Sequence, residues 1–198
     1  MFSKNLIKLS SLHNKPCFFT EDVAKLLDIT LESARVFVTR QSKKEIFIKL
    51  KKNCYSFGQR WNLNNEEDFF AISSILRVPS YISLLTALSY YGVSTQFPQD
   101  VFESITIFST KDYEIKGKNF KFYKVKEEFF NGFIRKDNYF IAEKEKAFID
   151  AIYLYSFGKY SLDLSAIDIK KLDKSLIFKI VKKYPQKTIE VLKRICKI

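Results

Sequence analysis

Histidine, glycine, proline and cysteine are scarce in this sequence, and each scarcity removes a class of function. The 198 residues include one His, five Gly, four Pro and three Cys. Glycine and proline ordinarily make up about 7% and 5% of a protein. The single imidazole, His13, ends the first amphipathic stretch and reads as an exposed helix-end residue, not a catalytic base. A Ser-His-Asp hydrolase is thereby all but excluded, since no Ser sits in a Gly-rich elbow either. Cys17, Cys54 and Cys196 lack metal-site spacing. They read as reduced thiols in a cytoplasmic protein. Gly117-Lys118-Asn119 lacks the preceding glycines of a phosphate loop. No apolar run reaches the ~18–20 residues of a membrane helix. The first residues, Met1-Phe2-Ser3-Lys4, open no compact apolar stretch with a cleavage site, so no signal peptide is read. No catalytic set, metal site or cofactor is expected.

Apolar and basic residues are abundant. The chain is 46% hydrophobic and 16% aromatic, ample for a buried core and unlike a disordered chain. Its length allows one or two domains. Thirty-four Lys+Arg stand against 22 Asp+Glu, a net charge of +12. An AT-rich genome also writes excess Lys, Phe, Ile, Tyr and Asn, so the placement of charge informs more than its total. Residues 1–60 carry 12 basic and 5 acidic side chains, net +7, and residues 61–198 carry 22 and 17, net +5.

The basic first third reads as three short helices and a hairpin. Phe2, Leu6, Leu9 and Leu12 recur at helical spacing before Asn14-Lys15-Pro16. Thr20 is the expected cap of a second helix, with Glu21 and Asp22 in its first turn. Val23, Leu26 and Leu27 are its expected buried stripe. Asp28-Ile29-Thr30 is a turn, and Thr30 caps a third helix from Leu31 to about Gln41. Two short helices across a three-residue turn form a helix-turn-helix. On the third helix Leu31, Ala34, Phe37 and Val38 face inward. Glu32, Ser33, Val36, Thr39 and Arg40 lie opposite, with Arg35 on the flank. Such a face suits a major groove about 12 Å wide, with Arg on guanine edges or phosphate. An ordinary solvated face is the plainer reading. Ile46, Ile48 and Leu50 then alternate with Phe47, Lys49 and Lys51, a strand of period two. Lys51-Lys52-Asn53 turns it into a return strand, Cys54–Phe57. A basic hairpin after the third helix is the wing of a winged helix, with Lys49, Lys51 and Lys52 placed for phosphates.

Gly58–Asn65 reads as a linker, and Asn65 caps an apolar helix starting at Glu66. The remainder is α/β in character. Ser83 is the expected cap of a helix through Tyr91, closed by Gly92. Strands are expected at Ser104–Thr110, Phe120–Val125 and Asn138–Ala142, with Asp112–Asn119 as a loop. A helix follows from about Glu143 to Phe157, and two more near 172–183 and 186–197. Asp100 with Glu114-Ile115-Lys116 has the order Asp…Glu-x-Lys of a metal-dependent nuclease. A solvated hairpin tip explains it more simply. Lys146 and Asp150 are four apart and can pair on one helix face, worth a few tenths of a kcal/mol.

The order of these motifs resembles the AbiEi family, the antitoxins of type IV toxin–antitoxin systems. A winged helix precedes Pro79-Ser80-Tyr81-Ile82-Ser83-Leu84-Leu85-Thr86-Ala87-Leu88-Ser89-Tyr90-Tyr91-Gly92, and Glu145-Lys146-Ala147-Phe148-Ile149-Asp150 follows further on. Lys144 stands where the family usually has Pro, and Asn53 where its wing tip usually has Gly. The resemblance covers nearly the whole chain. It implies an α+β protein with a winged helix-turn-helix at 1–60 and a mixed α/β domain at 61–198, ending in helices. It further implies repression of the protein's own promoter through DNA repeats, with a possible dimer on DNA, and protection against a nucleotidyltransferase-like toxin that need not be stably bound. Carried over by position, the DNA contacts are Ser33, Arg35, Thr39, Arg40, Lys43, Lys49, Lys51 and Lys52. The second-domain candidates are Tyr81, Ser83, Glu145, Lys146 and Asp150. A stand-alone winged-helix regulator without antitoxin activity is the alternative, and a nuclease a more distant one.

Overall fold

The computed structural model describes residues 2–96 and 99–196 and mixes helices with two β-sheets. The chain forms two compact units, 1–76 and 77–198. The division falls sixteen residues beyond the expected boundary at 60, because Gly58–Asn65 is no linker. It holds helix α4 (Gly58–Trp61), whose Trp61 is buried with its ring edge-on to Phe69 at 5.2 Å. Arg60 meets Asp68 at 2.6 Å, and Asn65 caps α5 (Glu66–Leu76) by accepting from the Asp68 amide at 2.9 Å. These contacts tie α5 to the first unit.

That unit begins with α1 (Phe2–Lys8) and a 3-10 turn at Ser10–Leu12. Strand β1 (Phe18–Phe19), α2 (Thr20–Leu27) and α3 (Leu31–Lys43) follow. The hairpin of β2 (Phe47–Lys51) and β3 (Cys54–Phe57) completes an antiparallel sheet of order β1-β3-β2. Leu9, Leu12, Phe18, Val23, Ala34, Val38, Phe47 and Phe57 fill the core between helices and sheet. Three local expectations change. Thr20 is the first helical residue and fully buried, and the helix start is closed instead by the Phe19 amide donating to Asp22 Oδ2 at 2.8 Å. Leu26 is 36% exposed and leaves the stripe to Val23 and Leu27. Phe47 joins the core while Ile48 and Leu50 are buried as well, so β2 buries side chains on both faces and leaves Lys49 exposed.

The second unit is built on a six-stranded sheet of order β6-β7-β5-β4-β9-β8. Its elements are β4 (Ser80–Ile82), α6 (Leu84–Tyr90), β5 (Val101–Thr106), β6 (Lys111–Ile115), β7 (Lys118–Lys124), β8 (Phe133–Lys136), β9 (Tyr139–Ala142), α7 (Lys144–Ser156), α8 (Lys174–Val181) and α9 (Gln186–Cys196). The β4–β9 and β5–β7 pairs are parallel and the rest antiparallel. The strand expected at Ser104–Thr110 lies earlier, at Val101–Thr106, because pairing with β4 ends at Ser80 opposite Thr106. The expected Asp112–Asn119 loop is largely strand. Lys116 and Gly117 both take positive φ, 45° and 80°, and turn β6 back onto β7. Two successive left-handed residues match the twist of a tight hairpin. Polar Asp112 and Glu114 hide this edge strand from a hydrophobic pattern. Strand β8 escapes for the same reason.

Candidate functional site

Two features invite a functional reading, one in each unit. In the first, α3 presents Glu32, Ser33, Val36, Thr39, Arg40 and Lys43 as one exposed stripe, with Arg35 exposed on its flank. Ala34, Val38 and Gln41 are buried on the other side. Thr30 caps the helix by accepting from the Ser33 amide at 3.2 Å, and its hydroxyl donates to Ser33 Oγ at 3.0 Å. Ser33 therefore keeps its own proton for an outside acceptor. Thr39 instead spends its proton on the Arg35 carbonyl, 2.8 Å away. Arg35 lies 3.9 Å from Glu32 with both side chains exposed, a contact water screens strongly. Val36, 49% exposed in the middle of the stripe, was on the predicted face but not among the predicted contacts. An isolated apolar side chain there suits a thymine methyl. A cavity of about 530 Å³ runs along this face beside Ile29, Val36 and Phe37.

The hairpin carries the other predicted cations of this unit. Lys49 and Lys52 are exposed. Lys51 is half-buried, and its ammonium donates to the Ile75 carbonyl at the end of α5. It therefore anchors the hairpin tip to a helix C-terminus, where a cation is favoured. Asn53 supplies the left-handed turn residue, φ 61°.

In the second unit, segments more than sixty residues apart converge. Tyr81 on β4, Ser83 just after it, and Lys146 and Asp150 on α7 form one buried network. Tyr81 Oη and Ser83 Oγ donate to Asp150 Oδ2 at 3.0 and 2.9 Å. Lys146 Nζ donates to Tyr81 Oη at 2.9 Å and to Asp150 Oδ1. Lys146 is 1% exposed and Asp150 0%. This corrects the expectation of a weak surface pair. Burial pulls the Lys146 pKa below the usual lysine value and pushes that of Asp150 above the usual aspartate value, each opposed by the other group. Phe133 stacks on the Tyr81 ring at 4.6 Å and helps to exclude water. Ser83 does not cap α6 with its side chain, because its hydroxyl is committed to Asp150. Glu103 Oε2 takes the capping role, accepting from the Leu85 amide at 3.1 Å. Leu84 between them is held at φ 58° while fully buried. That left-handed turn costs a non-glycine residue about 1–2 kcal/mol and sends Ser83 and Leu85 to different acids.

Glu145 stands beside the network but faces another way. It is buried and accepts from the Asp173 amide at 3.0 Å. Asp173 Oδ1 in turn caps α8 through the Ser175 and Leu176 amides. Glu145 thus fixes α8 onto α7. Gly132, φ 70°, passes so close to Lys146 that a Cβ would lie 2.9 Å from its Cγ. Gly132→Ala is expected to lower stability by about 1–3 kcal/mol, through left-handed strain and displacement of the Lys146 stem. A urea-unfolding midpoint equal to that of the wild type would refute this.

The candidate nuclease residues take ordinary structural places. Asp100 pairs with Lys118, and Glu114 is an exposed strand residue opposite Asn119. Among the described residues no three His, Cys, Asp or Glu side chains are grouped to hold a metal ion, and no helix is long and apolar enough to cross a membrane. His13 stacks on Phe57 at 3.8 Å. Comparison with known proteins adds no assignment: no family model and no curated protein matches the chain.

Proposed function

We propose that the protein is a DNA-binding transcriptional autorepressor and antitoxin of a type IV toxin–antitoxin system. Its first unit is read as a winged helix-turn-helix. The observation that carries the reading is the stripe of α3, polar and basic, followed by a hairpin that exposes Lys49 and Lys52. The element order, with β1 paired to the far strand of the hairpin, supports it. In this reading α3 enters the major groove, Arg40 contacts base edges and the hairpin lysines grip phosphate. One helix reads few base pairs, so specific binding calls for a dimer or two copies on repeated half-sites. The antitoxin part rests on the resemblance to the AbiEi family. The meeting of its two second-domain motifs in a single hydrogen-bonded network makes them parts of one framework. A nucleotidyltransferase-like toxin is the functional partner, without stable binding being required. No catalytic role is assigned.

The test is binding to the protein's own upstream DNA against a scrambled duplex. Arg40→Ala is expected to cost about 1–3 kcal/mol on the specific site and to relax sequence preference. Lys52→Ala is expected to weaken both duplexes alike and to reduce the salt slope by about 1. Equal affinity of the wild type for both duplexes at physiological salt would sink the repressor reading. Failure of the full chain to rescue cells from the neighbouring toxin would leave a regulator without antitoxin activity.

A further inference from the structure

The average charge of the second unit hides a strong asymmetry. Residues 77–168 hold 12 basic and 12 acidic side chains, net 0, whereas residues 169–198 hold 10 and 2, net +8. The last thirty residues are therefore more densely basic than the first sixty. The nine of these ten cations that are described are all exposed.

The fold turns them outward on two neighbouring helices. On α8 and the turn after it, Ile177, Val181 and Tyr184 are buried, and on α9 Thr188, Leu192 and Cys196 are buried. At 100° per residue, Lys179, Lys182 and Lys183 project opposite the first set, Arg194 projects opposite the second, and Lys193 lies exposed on its flank. Both helices pack on α7 and on each other, so their outer faces lie side by side on the outside of this three-helix group. Lys174 Nζ lies 3.4 Å from the Cys196 carbonyl, so the start of α8 sits beside the end of α9 and the helices run antiparallel. One cation cluster thus lies at each end of the pair. An eight-residue helix is about 12 Å long, close to the width of a major groove. The side chains of Lys170, Lys179, Lys182, Lys183, Lys193 and Arg194 make no hydrogen bond or ion pair among the described residues. The two acids of the segment are occupied: Asp173 caps α8 and Glu190 accepts from Gln186 at 3.1 Å.

We propose that the outer face of α8 and α9 is a second, sequence-independent binding surface for the phosphate backbone of duplex DNA. The choice of DNA rests on the reading of the protein as a duplex-DNA binder. The surface chemistry favours the duplex over a single strand or an inserted membrane contact. Nearly all the cations are lysines, point charges suited to phosphate and not to bidentate base reading. Neither helix exposes a large hydrophobic or aromatic side chain among the described residues. Insertion into an anionic membrane calls for apolar side chains, leaving only surface attraction there, and a single strand calls for rings on which to stack.

The experiment uses the full chain and two duplexes, the protein's own upstream sequence and a scrambled one, across a series of salt concentrations. The strip variant K179Q/K182Q/K183Q/K193Q is expected to bind both duplexes more weakly by the same factor. Its salt slope should fall by up to about 0.9 for each phosphate no longer neutralised, with the specificity ratio unchanged. The arginine version of the same four positions should restore the slope. An unchanged slope and affinity in the strip variant, while the wild type binds, would overturn the proposal. Tighter binding of the wild type to phosphatidylserine vesicles than to either duplex, lost in the strip variant, would overturn it too. Failure of the winged-helix reading has a different signature: Arg40→Ala leaves the ratio between the duplexes unchanged while the strip variant still loses slope.

Discussion

Replacing Asp150 with alanine is expected to destabilise the protein by about 3–5 kcal/mol. The cause is the ammonium left behind. Lys146 is 1% exposed, and its counter-charge sits one helical turn away on the same α7. Without that carboxylate it must either shed its proton or stay charged in an apolar core, and both are costly. Tyr81 and Ser83 would lose their shared acceptor at the same time. Lys146→Met combined with Asp150→Asn is expected to recover much of the loss, because it removes both buried charges, keeps nearly the same volume and leaves an amide oxygen to accept from Tyr81 and Ser83. Thermal or urea unfolding of the two single variants and the double variant forms the cycle. Additive single effects, with no recovery in the double variant, would refute the account. If the folded double variant still protects cells from the toxin, the network is a framework only. If it folds and fails, the four residues also serve function.

Raising the pH from about 4.5 to 7 is expected to weaken the fold through Glu103. This carboxyl is 6% exposed on β5. Burial pushes its pKa from the ordinary 4.5 up to about 7, against hydrogen bonds from Tyr160 at 2.9 Å and from the Leu85 amide. Lys121, across from it on β7, also opposes the rise. Between the two pKa values the folded chain holds a proton that the unfolded chain has released. Stability contributed below pH 4.5 is therefore lost as pH rises through 7. The shift corresponds to about 3 kcal/mol. Glu103→Gln stays neutral and keeps an acceptor for Leu85 and Tyr160. It should match the wild type in acid and exceed it in stability above pH 7. Unfolding midpoints of both proteins measured across this range decide the matter, and parallel profiles would count against it.

What could be read from the residues alone was whatever depends on local periodicity and capping chemistry. Ala34 and Val38 at helical spacing fixed which side of α3 turns inward, and so which side carries Ser33, Arg35, Thr39 and Arg40. Thr30 and Asn65 capped as their short polar side chains require. The resemblance to the AbiEi motifs also singled out Tyr81, Ser83, Lys146 and Asp150, and helical spacing paired the last two. That spacing assigned the pair to a helix surface, because a separation of four says only that two side chains share a face. Whether that face meets water or a sheet depends on β4 and β9 running side by side, a pairing between segments nearly sixty residues apart. The same long-range packing tied Lys51 to the Ile75 carbonyl, moved the unit boundary to residue 76 and gave Glu103 the role of helix cap. It also turned the lysines of α8 and α9 outward. Local chemistry is written along the chain; the dielectric around each charge is not, because it is set by residues that only the tertiary fold brings near.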